Sequence, residues 1–230
     1  MRRVLLIGAV FAAALAAGVE PAAAATSECR GFMTCVPVAG PWVVVPVSRQ
    51  MPRPQVQYQL TCPRGFVVGG VDAELTDRAI DVSIVGTSGS PVSPGVTTSR
   101  AVVFVASYVG AGARAPTFRP HAGCLPASGG GERTPTGVAA TVPPGKPTVR
   151  RVSTVRVRSN TTITVACRAD ERLVAAYSAR GFFTPAPPGP AIVSSLSATQ
   201  RISGDRVVVT VRARQGQGAV QVAAVCAGGR

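Results

Sequence analysis

The sequence is poor in the side chains from which catalytic sites and nucleic-acid readers are built. It holds one histidine, His121, one tryptophan, Trp42, and one lysine, Lys146, and aromatic residues make up only 5% of the chain. With a single imidazole, a Ser-His-Asp hydrolase would have to use His121. No G-x-S-x-G elbow is present; Gly86-Thr-Ser-Gly-Ser90 comes near it in letters and reads as a turn. So few aromatics leave no stacking platforms for single-stranded nucleic acid. Downstream of the N-terminal region, no apolar run reaches the roughly 20 residues a membrane-spanning helix needs. The cysteines lack paired zinc-knuckle spacing and a lone histidine cannot complete such a site, so neither a metal nor a cofactor is expected. Acidic residues are scarce too: 10 Asp+Glu stand against 24 Lys+Arg, a formal net charge of +14.

What is present begins with an export leader. Arg2 and Arg3 form a positive start, Val4 to about Val19 is apolar, Glu20-Pro21 breaks the run, and Ala22-Ala23-Ala24-Ala25 offers A-x-A cleavage sites. Residues 1–25 therefore read as a signal peptide, and the mature chain as a released protein, extracellular or periplasmic, with no transmembrane segment. All six cysteines, Cys29, Cys35, Cys62, Cys124, Cys167 and Cys226, follow the leader. An even count in an exported chain reads as disulfides, which leaves no thiolate nucleophile.

The chain compares with itself. Tyr58-Gln-Leu-Thr-Cys62 matches Ile163-Thr-Val-Ala-Cys167 in pattern, and Phe66-Val-Val-Gly-Gly-Val71 matches Arg172-Leu-Val-Ala-Ala-Tyr177. A breaker-rich gap follows in each, at 88–95 and 185–190. Then Arg100-Ala-Val-Val-Phe-Val105 matches Asp205-Arg-Val-Val-Val-Thr-Val211, and each stretch closes on a cysteine, Cys124 or Cys226. The expected organisation is an N-terminal disulfide loop over 26–40, a first repeat over 41–124, a Pro/Gly-rich linker over 125–146, a second repeat over 147–226 and a tail over 227–230. Val, Thr and Ile alternate with polar residues, and Gly, Pro and Ser interrupt them at short intervals. That predicts an all-β protein of two tandem, disulfide-closed β-sandwich or barrel-like units. Six cysteines allow many connectivities, and the repeat selects Cys62–Cys124 and Cys167–Cys226, with Cys29–Cys35 closing a small loop. Closing loops of this length is worth roughly 4 kcal/mol each in the chain-entropy model.

The run Cys62-Pro63-Arg64-Gly65, then Gly69-Gly70, then Cys124 resembles the C-P-x-G…G-G…C repeat of small exported proteins of high-GC bacteria. The second stretch keeps the cysteines but has Arg168-Ala169-Asp170 and Ala175-Ala176 at the other positions. The resemblance implies a bacterial, exported chain and no particular activity.

Three clusters carry potential chemistry. Asp72, Glu74, Asp77 and Asp81 gather in the first repeat, and Asp72 and Glu74 share a face if that stretch is a strand. Solvated turn charges are the simplest reading; a calcium site, or an acid/base pair formed by the two carboxylates, is the sharper one. Cys29-Arg-Gly-Phe-Met-Thr-Cys35 leads to Trp42 and reads as a tethered cap or an exposed recognition loop. The basic residues give the strongest signal. Alternation places Arg206, Arg212 and Arg214 on one face with Val207, Val209 and Val211 on the other, and Arg150, Arg156 and Arg158 likewise share a face. Guanidinium arrays of this kind suit phosphate or carboxylate, and they equally suit a solvated outer surface. The sequence thus points to an exported, non-catalytic binding or envelope-associated protein, with an anionic polymer as candidate ligand. An inhibitor of secreted proteins acting through loops 89–95 or 185–190 is the alternative, and a hydrolase around Asp72, Glu74 and His121 ranks last.

Overall fold

The computed structural model describes residues 26–85, 96–98, 100–112, 116–127, 148–214 and 218–228. Residues 1–25, read above as a leader, the breaker gap 88–95, most of the expected linker and the last two residues lie outside them. The described chain is almost entirely strand. In order it runs β1 Val36–Ala39, β2 Trp42–Val44, β3 Gln55–Thr61, β4 Phe66–Leu75, β5 Ile80–Val85, β6 Val96–Thr98, β7 Ala101–Tyr108 and β8 Thr117–Pro126. Then come β9 Thr148–Val157, β10 Thr161–Ala166, β11 Glu171–Phe182, β12 Leu196–Ser203, β13 Arg206–Ala213 and β14 Gly218–Gly228. One short helix, α1 Pro190–Ser194, interrupts the breaker-rich stretch before β12, where only a loop was expected. Pro190 sits at its start, where a fixed φ and a missing N–H cost nothing.

All three expected disulfides are present, Cys29–Cys35, Cys62–Cys124 and Cys167–Cys226, and no described cysteine is free. The strands form three sheets, and the two halves are wired alike. In the first, β7 lies between β3 and β5; in the second, β13 lies between β10 and β12. β4 pairs with β8 as β11 pairs with β14, and each ladder carries an irregularity between Val68 and Gly70 or between Leu173 and Ala175. In both, the residue just before the irregularity stands opposite the closing cysteine: Val68 opposite Cys124, Leu173 opposite Cys226. The N–H of Cys62 donates to Arg100 O, and that of Cys167 to Asp205 O.

The two halves do not stand apart as beads. β1 and β2 run one after the other along one edge of β8, with β4 on its other edge. The far edge of β2 pairs with β11, Trp42 opposite Phe182 and Val43 opposite Gly181. One seven-stranded sheet therefore runs through both halves. Successive strand residues point to opposite faces, and β2 uses both: Val43 and Val45 enter the first core, Val44 the second. The sheet of β3, β5, β6 and β7 thus covers one face of the long sheet, and the sheet of β10, β12 and β13 covers the other.

A second seam joins the halves on the first of these faces. Val56, Tyr58 and Leu60 of β3 enter the first core, which turns Gln55, Gln57 and Gln59 the other way. Gln59 N–H donates to Gln221 Oε1 and Gln221 Nε2 donates back to Gln59 O, at 2.6 and 3.0 Å. Arg150 Nη1 donates to Gln57 Oε1 at 2.7 Å. β14 is consequently buried on both faces, which is why its sequence is apolar almost throughout, with Gln221 at the seam as the exception, rather than alternating.

In the first half it is the opposite face of β8, the one carrying His121 and Gly123, that the N-terminal segment covers. A Cβ at Gly70 or Gly123 would collide with the carbonyl of Glu28. Gly123→Ala should therefore destabilise the protein by about 1–3 kcal/mol through overpacking. It should also speed tryptic cleavage at Arg30. Urea denaturation and a limited-proteolysis time course check the two effects.

Candidate functional site

The acidic residues of the first half converge, but beneath a cover. Asp72 and Glu74 share a face of β4, and Asp72 stands opposite His121 on β8. His121 Nε2 lies 2.9 Å from Glu74 Oε1, and His121 Nδ1 lies 3.7 Å from Glu28 Oε1. The N–H and Oγ of Ser27 both donate to Asp72 Oδ2, at 2.6 and 2.9 Å. Burial pushes the Asp72 carboxyl up, but the donors Ser27 N, Ala73 N and Ser27 Oγ, with the charge of His121, outweigh it and hold it below the usual range. His121 is only 6% exposed. A substrate would have to displace residues 26–35 to reach it.

The other two carboxylates stay outside this group. Asp77 accepts from Tyr108 Oη and Ala79 N, and Asp81 is exposed on β5. Among the described residues, the close trio of metal-ligand types is Cys167, Glu171 and Cys226. Its two sulfurs are joined to each other, and Glu171 is held by Arg151 at 2.6 Å. That arrangement is a structural clamp.

The two arginine sets lie on opposite sides of the second half. Arg150 faces the seam with β3: its guanidinium lies 5.2 Å from the Tyr177 ring, and its Nε and Nη2 are buried without a partner. Burial holds its pKa below the usual arginine value. Arg156 stacks on Phe183 at 4.7 Å, and Arg158 is exposed beyond the end of β9.

Arg206, Arg212 and Arg214 are exposed on the outer side of the β10–β13–β12 sheet, while Val207, Val209 and Val211 are fully buried beneath. The register fills in the rest of that face. Arg206 lies between Ala166 and Ser203, Val208 between Thr164 and Arg201, and Thr210 between Thr162 and Thr199; Arg212 stands opposite Ser197. The result is an open face of Arg201, Arg206 and Arg212 set among threonine and serine hydroxyls, with no carboxylate in any row. None of these arginines has a carboxylate within 4.0 Å among the described residues. Arg201 was missed from the sequence. Its alternation along Leu196–Ser203 is visible, but only pairing with β13 places it in the array.

The second half also contributes to a recess at the junction, about 140 Å³, where Gln55, Ser178 and Arg180 meet apolar residues including Val44 and Val56. Arg180 Nη1 donates to Leu196 O at 2.7 Å. Arg180 thus braces β11 against β12.

The hydrogen bonds at Asp72 make a prediction about acid stability. A carboxyl lowered in the folded state contributes stability above its unfolded value near pH 4, and that stability is lost as pH falls through the folded value. Asp72→Asn should lower the melting temperature at neutral pH and flatten the decline below about pH 4. Parallel melting curves for the two proteins across pH 2–7 would contradict the assignment. No protein family, curated protein or solved structure matches the chain.

Proposed function

We propose that the mature chain is an exported, non-catalytic binding protein that holds an anionic, hydroxyl-rich polymer on the outer face of β10, β12 and β13. The observation that carries this reading is the acid-free arrangement of Arg201, Arg206 and Arg212 among threonines and serines. Guanidinium groups bind phosphate or carboxylate through paired, charge-assisted hydrogen bonds. Hydroxyls both donate and accept, and so can meet the hydroxyls of a sugar or polyol. Arg206 and Arg212 stand six residues apart, about 20 Å along the strand. That span suits successive units of a chain better than one small molecule. The scarcity of aromatics turns the preference away from nucleic acid and towards phosphate-linked polyols or acidic polysaccharides.

Export is supported by the leader pattern and by three disulfides, which fit an oxidising compartment. A non-catalytic role is supported by the paired cysteines and by the covered position of His121. We also read the two halves as copies of one ancestral unit. The identical strand pairing, the matched irregularities and the equivalent disulfides support that reading.

Binding to poly(glycerol phosphate) and to polygalacturonate, titrated with salt, tests the proposal. The parent protein should bind at least one of them and weaken as ionic strength rises. Arg201→Ala/Arg206→Ala/Arg212→Ala should reduce affinity at least tenfold at low salt. A control removing three exposed charges from the first half, Arg30, Arg53 and Arg64, should change it much less. Equal losses in the two triple variants would reduce the effect to net charge, and salt-independent binding would contradict the electrostatic reading.

A further inference from the structure

The acidic cluster beneath the N-terminal segment contains a buried carboxylate oxygen without a donor. Glu28 is 4% exposed, and its Oε2 is buried with no hydrogen-bond donor. Its Oε1 accepts from Thr26 Oγ1 at 3.1 Å and lies 3.7 Å from His121 Nδ1. β4 adds the carboxylates of Asp72 and Glu74, and β8 adds His121 and Arg119. Arg119 is turned away from the cluster, with Nε on Gly40 O and its guanidinium 5.9 Å from the Trp42 ring. Arg30, on the segment itself, is exposed. Three carboxylates thus face one imidazole. Even with His121 protonated the cluster stays negative, and a buried carboxylate oxygen without a donor is costly.

We propose that this cluster is a receptor for the chain's own processed N-terminus: the α-ammonium of Thr26, formed when the leader is cut after Ala25. The inference rests on the export reading above. The cut is a hydrolysis by a leader peptidase. Water adds across the Ala25–Thr26 bond, its hydroxyl going to the Ala25 carbonyl and its hydrogen to the Thr26 nitrogen. A further proton from solvent gives the ammonium at neutral pH. The position is already set, because Thr26 Oγ1 is bonded to Glu28 and Ser27 N–H to Asp72. Before the cut the Thr26 nitrogen is a neutral amide with one hydrogen; afterwards it carries a positive charge and three donors. Cleavage thereby supplies the cation that Glu28 lacks and fastens the segment that covers β4 and β8. The unprocessed chain keeps a buried carboxylate oxygen without a donor at that position.

The test compares the chain released with Thr26 as its first residue against the same chain acetylated at that nitrogen. His121, Asp72 and Glu74 are present in both chains, which differ only in the charge and donors on the Thr26 nitrogen. The free α-amine should titrate at least one unit above its ordinary range of about 7.7–8.0. The free chain should melt about 2–4 °C above the acetylated one near pH 6.5. A raised amine stabilises the folded state below its unfolded value, so the advantage should vanish as pH rises through the folded value. Glu28→Gln should abolish the advantage in the free chain and leave the acetylated chain as stable as before or more so. An amine that titrates in its ordinary range, or an advantage that survives Glu28→Gln, overturns the proposal. N-terminal sequencing of the exported chain should read Thr-Ser-Glu. Retention of the leader in the cell, with the in vitro difference intact, would overturn export and the cut while leaving the ammonium receptor standing.

Discussion

The structure depends on β2 serving two cores at once. It is three residues long, yet one edge pairs with β8 and the other with β11. Its side chains alternate between the two interiors, Val43 to the first and Val44 to the second. A strand in that position cannot be withdrawn from one half without exposing apolar surface in the other, at a cost of roughly 25 cal/mol per Å². The fit is also close: a Cβ at Gly181 would press on Pro41 and on the carbonyl of Trp42. The only tryptophan of the chain is buried at this junction, beside Arg119 and opposite Phe182.

Joining the halves through one sheet creates a covering problem that each half solves differently. The strands β8 and β14 lie in the middle of the long sheet, so both of their faces must be shielded. One face of each packs into its own core. The other face of β14 is shielded by β3, through the reciprocal Gln59–Gln221 bonds. Among the described residues no strand does the same for β8, and the disulfide-tethered segment from Thr26 to Cys35 takes that place. The cap thus does for β8 what β3 does for β14. The outer face of β10, β12 and β13 is left over by this arrangement, uncovered and free of acidic side chains.

Much of this was legible in the sequence, because it depends on local period and on cysteine spacing. The alternation of Val207, Val209 and Val211 with Arg206 and Arg212 needed no tertiary information, and the three disulfides followed from matching one stretch to another. The junction was not legible. Trp42-Val43-Val44 reads as any short buried strand, and nothing local says that the second edge of Trp42 has a partner 140 positions away at Phe182. The cap was half legible: a small disulfide loop was evident, but Glu28 reads as an ordinary acidic residue after a leader. Its burial follows from contacts with Gly70 and Gly123, positions where, counted from the ladder irregularities, the second half has Ala175 and Val225, one residue away from the sequence match of Gly70 with Ala176. The glycines belong to the cap's docking surface, which explains why the second half does without them. The grouping of His121 with Asp72 and Glu74 was a matter of register, which sequence period cannot supply.

If the two cores depend on one sheet, they should open together. Native-state hydrogen exchange of the full chain, followed with increasing urea, measures this directly through the buried amides of β7 and β13. Both sets should merge into one global unfolding isotherm, with the same free energy and the same denaturant dependence. Two separate isotherms, with one half exchanging through its own smaller opening while the other stays protected, would show that β2 does not bind the halves into one unit.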